Sequence, residues 1–195
     1  TRRSSDLVIE SEYHTFSRPD EKSYVVIHPY LLKEYNRRWF LIAAADRDQK
    51  MLNFGLDRID EVKPLAGHEF LEPQHDLTER FEDIIGVTLY EDSPIYKIYF
   101  WVSEHSKSYV LTKPLHDSQR FLKGDKEAEM RKRFPMLKDG AFFRIDCKEN
   151  YELIRELTSF GDDLIVIEPS EIQEKVYKRI QSMQDGYHNL RTKSS

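Results

Sequence analysis

The 195-residue sequence contains one cysteine, Cys147, so no internal disulfide can staple it. That fits a reducing compartment and a cytoplasmic address. Only 7 glycines and 8 prolines occur, which argues against low complexity and against a glycine-rich phosphate loop. No run of about 18 apolar residues is present, so no segment reads as a membrane span. The opening also lacks the basic-then-apolar pattern of a secretory signal. Positive charge is not in excess: 30 Lys and Arg stand against 35 Asp and Glu, a formal net charge of −5. This argues against bulk electrostatic binding of nucleic acid and leaves room only for a local basic pocket. Catalytic signatures are missing too: no Gly-x-Ser-x-Gly, no P-loop, no His-Glu-x-x-His and no Cys-x-x-Cys. The chain therefore reads as a non-enzyme that calls for no cofactor. Thr1, not Met, stands first, so the chain reads as a fragment or a processed product.

What is present points to packed cores. Eleven Tyr and eleven Phe are too many for a disordered chain. The first third reads as short strands: Asp6–Phe16, Ser23–Leu32, Arg38–Ala45, Met51–Leu56 and Glu61–Leu65. They are separated by turn-forming stretches, with Asn36 suited to a tight hairpin and Asp57–Asp60 to a short helical turn. Five short strands over about 65 residues suggest a small curled barrel of SH3-like size. Gly67 to Gln74 loses periodicity and reads as a linker.

The second half alternates elements. Ser93–Ser103 and Gly140–Cys147 read as strands, the latter with Phe143, Ile145 and Cys147 alternating against Arg144 and Asp146. Ser118–Lys123 is a further strand candidate, and His105–Thr112 fits a short helix or a strand. Asn150 is placed to cap a helix carrying Leu153, Ile154 and Leu157 on one face, with Gly161 as its stop. Asp163–Glu168 reads as a buried strand. Ser170-x-x-Gln173 reads as a capping box opening a last helix with Ile172, Val176 and Ile180. This β-α-β-β-α-β order predicts a ferredoxin-like sandwich. The fold class expected is thus α+β: an SH3/Sm-like barrel over residues 1–72, then a ferredoxin-like sandwich over 81–185.

Several chemical readings are weighed and set aside. Cys147 lies on the apolar face of a strand and reads as a buried structural thiol rather than a nucleophile. His68 and His75, with Glu69 and Glu72 between them, read as a solvated linker before a metal site. The charge run Lys126–Arg133 reads as a solvated helical face before an anion site. On the second strand Tyr24, Val26, His28 and Tyr30 share one face, while Val25, Ile27 and Leu31 take the core face. Simple hairpin register lets His28 and Tyr30 point the same way as Arg38. The pattern alone favours a half-buried rim over a pocket.

The stretch His28-Pro-Tyr-Leu-Leu-Lys-Glu-Tyr-Asn-Arg-Arg-Trp-Phe-Leu41, with Phe54-x-Leu-Asp-Arg-Ile59, resembles the WYL domain, whose name-giving triplet here reads Trp39-Phe40-Leu41. Phe81 to Met183 resembles the WCX extension that follows WYL domains in bacterial regulators, most of all at Pro114–Gln119 and Leu157-x-x-Phe-Gly161.

The resemblance implies an Sm/SH3-like barrel acting as the ligand-sensing and dimerisation region of a bacterial transcriptional regulator. The effector types it implies are a nucleotide or short single-stranded nucleic acid. Promoter DNA would be read only by a helix-turn-helix N-terminal to this sequence, with Thr1–Ser5 as the end of its connector. The family's polar pocket maps onto Thr15, His28, Tyr30, Arg38 and Arg58, and two arginine forks with aromatic rings suit phosphate and base. Phe40 departs from the family's Tyr and removes a hydroxyl. Residues 1–72 carry 11 Lys and Arg against 13 Asp and Glu, a net of −2, so affinity must come from a concentrated site. A homodimer is expected, with the aromatic strand Tyr96–Trp101 as its surface. The alternative reading is a direct nucleic-acid-binding accessory module in defence or repair.

Overall fold

A computed structural model describes residues 7–74, 76–90 and 93–192. Thr1–Ser5, read as a connector, and His75 lie outside the described residues. The chain is α+β, with two separate antiparallel sheets, and it divides into two compact units, residues 1–81 and 82–195.

The first unit is built from β1 (Ile9–Thr15), β2 (Arg18–Tyr35), β3 (Arg38–Ala45), β4 (Met51–Gly55) and β5 (Ile59–Pro64). Their order in the sheet is β4-β3-β2-β1-β5. β1 and β2 join through the two residues Phe16 and Ser17, so β2 starts at Arg18 and not at Ser23. β2 and β3 join through Asn36 and Arg37, both at positive φ (50° and 62°). Two consecutive positive φ values make the type I′ turn that matches strand twist, and Asn tolerates them best. A one-turn 3₁₀ helix, Leu56–Arg58, links β4 to β5.

β2 is long enough to serve two partners. Its first half pairs with β1 and its second with β3, and Ile27 faces Ile9 on one side and Ala45 on the other. The core gathers Ile27, Leu41, Ala43 and Phe54, with Ile9, Tyr13, Val25 and Ile59 packed on it. A bulge interrupts β2 at Tyr30: Pro29 faces Ala43, but Leu31 faces Ile42. An extra residue reverses the alternation beyond it. Leu31, expected in the core, is therefore turned off that face and is 38% exposed.

The second unit holds β6 (Ile95–Val102), α2 (Glu104–Thr112), β7 (Arg120–Phe121), α3 (Asp125–Arg133), β8 (Ala141–Lys148), α4 (Tyr151–Ser159), β9 (Leu164–Glu168) and α5 (Ser170–Thr192). A short α1 (Leu77–Glu82) spans the division between the units. The sheet order is β7-β8-β6-β9. Ile98, Phe100 and Val102 alternate inward from β6, as Phe143, Ile145 and Cys147 do from β8, and the Phe100 and Phe143 rings stack 5.6 Å apart. Burial pushes the Cys147 thiol up to about 12, which leaves it protonated and unreactive.

Two local readings are met as expected. The Asn150 side chain accepts from the Leu153 N–H at 2.8 Å and caps α4, and Gly161 takes φ +60° after it. Others are corrected. Ser170 and Gln173 do not bond each other's backbone as a capping box; Ser170 Oγ donates to Glu171 and the Gln173 amide donates to the Val166 carbonyl. In the strand Tyr96–Trp101, Phe100 is buried on the inner face, while Tyr99 and Trp101 on the other face are partly exposed and pack against Leu122, Met130, Phe142 and Ile167. The charge run is the solvated helical face expected of it: it forms α3, with Lys126, Glu129, Lys132 and Arg133 exposed and Met130 alone buried, against Leu122, Phe142 and Ile167.

Candidate functional site

The five residues singled out in the sequence fall into two groups on the first unit. His28 faces Ala44 across the β2–β3 ladder, while Arg38 faces Tyr35. Ala44 and Arg38 share a face of β3 but are six residues apart, about 20 Å along the strand at ~3.3 Å per residue.

The first group forms around the His28-Pro29-Tyr30 bulge. His28 is 2% exposed. Its Nδ1 accepts the Leu71 N–H at 3.0 Å, so the ring proton sits on Nε2, which donates to Asp46 Oδ1 at 3.1 Å. The Nε2 of His68 reaches the same oxygen at 2.9 Å. These bonds, His68's first and then His28's, hold the Asp46 carboxyl below the usual carboxylate range. The Tyr30 hydroxyl donates to the Leu71 carbonyl at 2.8 Å, and burial pushes its phenol up. The Phe70 ring stands edge-on to both, 5.8 Å from each centroid. A cavity of about 320 Å³ opens beside them, bounded by His28, Asp46, Gln49, His68, Glu69 and Glu72.

The ligating atoms of His28, Asp46 and His68 lie within 4.8 Å of one another, close enough to invite a metal ion. The chemistry opposes one at His28. A metal-bound imidazole keeps its other nitrogen protonated and donates it to an acceptor. Here that other nitrogen meets a donor, the Leu71 N–H. The arrangement suits two imidazoles donating to one carboxylate oxygen.

The second group gathers Arg38 and Arg58. The 3₁₀ turn folds Arg58 back over Gly55, where a Cβ would stand 2.7 Å from both Arg58 Nη2 and Asp57 Oδ1, so a larger residue would push these two side chains aside. The Arg58 guanidinium lies 4.2 Å from the Phe16 ring centroid and 5.2 Å from that of Tyr13, and its side chain is only 13% exposed. Arg38 also stacks on Phe16, at 4.9 Å, so one ring carries both cations. Asp57 braces them, with Oδ2 3.2 Å from Arg38 Nη1 and Oδ1 3.8 Å from Arg58 Nε. Among the described residues the buried Arg58 Nε finds no hydrogen-bond partner. Thr15 sits beside this group, its hydroxyl 3.2 Å from that of Ser17.

The structure thus brings His28 and Tyr30 together and Arg38 and Arg58 together, with Thr15 at the arginine end. Sequence reasoning missed Asp46, Phe16, Asp57 and Phe70, and placed His68 in a solvated linker. Phe16 ends a strand in the sequence pattern, and nothing in that pattern marks it as a platform. A wider cleft of about 660 Å³ in the second unit is lined by Glu82, Asp83, Asp117 and Asp146 with Lys97 and His116; its balance of charge is unsuited to a phosphate.

Comparison with known proteins agrees with the resemblance noted above. A family model described as WYL domain matches residues 4–64, and one described as WCX domain matches residues 94–184. No curated protein matches the chain. Among solved structures, proteasome accessory factor B/C (PafBC) of Arthrobacter aurescens is 16% identical with a TM-score of 0.36, covering 93% of this chain and 25% of that one. A crystal structure described as a CRISPR Cas-related protein is 13% identical with a TM-score of 0.50, covering 95% of this chain and 48% of that one. This chain therefore spans about a quarter and about half of those two lengths. The second likeness is one of fold.

Proposed function

We propose that this chain, which belongs to the WYL-domain family and carries a WCX domain behind it, is the ligand-sensing region of a bacterial transcriptional regulator. Its effector is a nucleotide or a short single-stranded nucleic acid. Promoter DNA is then read by a helix-turn-helix outside these residues, and the region is a cytoplasmic binding module without a catalytic step. Among the described residues no helix is long and apolar enough to cross a membrane. The strand order β5-β1-β2-β3-β4 with its 3₁₀ turn supports an SH3/Sm-like barrel for the first unit. The order β7-β8-β6-β9, with α3 inserted between β7 and β8, supports a ferredoxin-like second unit.

The observation that carries the ligand class is the ring of Phe16 between two guanidiniums, one of which keeps a buried donor without a partner among the described residues. Guanidinium forks match phosphate oxygens, and the 61%-exposed Phe16 ring adds apolar surface beside them that a base can contact. The test is fluorescence polarisation with a short fluorescein-labelled single-stranded DNA and with a labelled cyclic dinucleotide. Arg38→Ala should weaken binding by about 1.5–3 kcal/mol, roughly ten- to a hundred-fold. Its side chain is half exposed, so folding should hardly change. Arg38→Lys should recover only part, because Lys keeps the charge and loses the fork. Equal binding by wild type and Arg38→Ala would move the pocket elsewhere. No binding by wild type at low salt would sink the ligand class.

The partner proposed for the whole chain is a second copy. The surface proposed for it is α5, where Ile180, Met183, Tyr187 and Leu190 are all exposed, whereas Tyr99 and Trp101 of β6 are partly covered. Their three- and four-residue spacing is that of a coiled-coil seam. Sedimentation equilibrium at micromolar concentration should give a dimer mass that Met183→Glu reduces to a monomer. A clean monomer mass for wild type counts against the dimer.

A further inference from the structure

The stretch that follows β5 is tied down although it has no regular structure. Leu65 N–H bonds the Val8 carbonyl at 2.9 Å, and Gly67 turns the chain at φ +82° with open space where a Cβ would be. The segment then crosses the bulge of β2, where its own backbone satisfies both polar groups that the family resemblance assigns to the effector. His28 Nδ1 takes the Leu71 N–H, and the Tyr30 hydroxyl reaches the Leu71 carbonyl.

We propose that residues 65–72 are a displaceable strap: Leu71 occupies His28 and Tyr30 in place of the effector, and the contact of His68 with Asp46 latches it shut. This rests on the effector-binding reading above, in its single-stranded form, since a short strand can reach from the arginines to the His28–Tyr30 end about 20 Å away, and it adds the regulation of that binding. The geometry favours a strap over fixed core for three reasons. His68 and Asp46 are both more than a third exposed, so their contact exchanges readily with water. Phe70 touches the site only ring edge to ring edge. The turn at Gly67 lies in open space, with no heavy atom within 4 Å of where a Cβ would stand, and glycine has the widest choice of backbone angles. Such segments open locally at low cost while the sheet beneath stays folded. An effector that bonds His28 and Tyr30 must first expel Leu71, so the apparent affinity is the intrinsic affinity multiplied by the fraction of molecules with the strap open. Loosening the latch should therefore tighten binding.

The experiment has two arms on the full chain: wild type, His68→Ala and Phe70→Ala. In the first, native-state hydrogen exchange followed by NMR reads the Leu71 amide. Its exchange should speed up about tenfold in His68→Ala, since one hydrogen bond to a charged group is lost. The Ile42 amide in β3 should not change. In the second, polarisation with the labelled single-stranded DNA should show several-fold tighter binding by both variants. An unchanged Leu71 rate overturns the latch. A faster Leu71 rate with unchanged affinity overturns the competition. Slowing of Leu71 exchange by micromolar zinc, abolished by His68→Ala, would make the cluster a metal centre and overturn the strap as described. If no form of the protein binds the DNA, the nucleic-acid reading fails, while the exchange arm still decides the latch by itself.

Discussion

Gly140→Ala should unfold the second unit before any other single methyl group added to it. Gly140 has φ +110°, a backbone conformation that side chains avoid. It also stands where β8 begins against the end of β6. A Cβ there would lie well inside contact distance of the Val102 carbonyl oxygen, 3.0 Å from Trp101 Nε1 and 3.1 Å from the Ser103 carbonyl carbon. The first of these is backbone, held because Val102 pairs with Ala141 on one side and Leu164 on the other. The neighbours cannot step aside without breaking a ladder. The Gly140 carbonyl is held as well, by Arg131 Nη2 at 2.8 Å. Strain plus a clash of this kind costs about 3 kcal/mol or more. For a domain of this size that is a fall of roughly 10–20 °C in melting temperature. Differential scanning calorimetry should show the transition of the second unit moving down while that of the first stays in place. A melting curve identical to wild type would mean that β8 does not begin in this conformation.

The second large effect is expected at His28. Removing its ring in His28→Ala leaves a cavity at a 2%-exposed position, orphans the Leu71 N–H and takes one of two donors from Asp46. A buried large-to-small change together with an unpaired donor costs about 2–4 kcal/mol. His28→Asn keeps a short side-chain acceptor for Leu71 and should recover part of this. Urea denaturation of the first unit measures the difference. The loss should far exceed that in His68→Ala, which removes a partly exposed group from the same carboxylate. A cost under about 0.5 kcal/mol, typical of surface positions, would show that His28 is a rim residue, as the strand pattern alone suggested.

Much of the second unit was legible because its signals are local. Asn150 three residues before Leu153, Gly161 after an apolar helical face, and Phe143, Ile145 and Cys147 alternating along β8 each act on their nearest neighbours. The turn at Asn36 was legible for the same reason. The short β7 of two residues and the helix α3 after it were harder, since a charge run has no apolar period beyond the single buried Met130.

The candidate site was half legible. The residues of the His28-Pro29-Tyr30 stretch and the two arginines stood out through the family resemblance, but their surroundings did not. One inserted residue at Tyr30 reverses every later side chain of β2, and period-two reading assumes no such insertion. Arg58 looks like any charged turn residue until Phe16 and Tyr13, more than forty positions earlier, close over it.

The sequence by itself determined the α+β class, the turn at Asn36, the capped helix of the second unit and the membership of two domain families. The first three were legible because helix, strand and turn preferences act between residues a few positions apart, whereas the two families were recognised by the resemblance of whole motifs. Only the tertiary structure decided that His28 and Tyr30 are bonded by Leu71, 43 and 41 residues away, and that one phenylalanine carries both arginines. Contacts across such separations follow from how the strands curl and where the bulge falls, and chain closure over long loops leaves no period in the sequence to read.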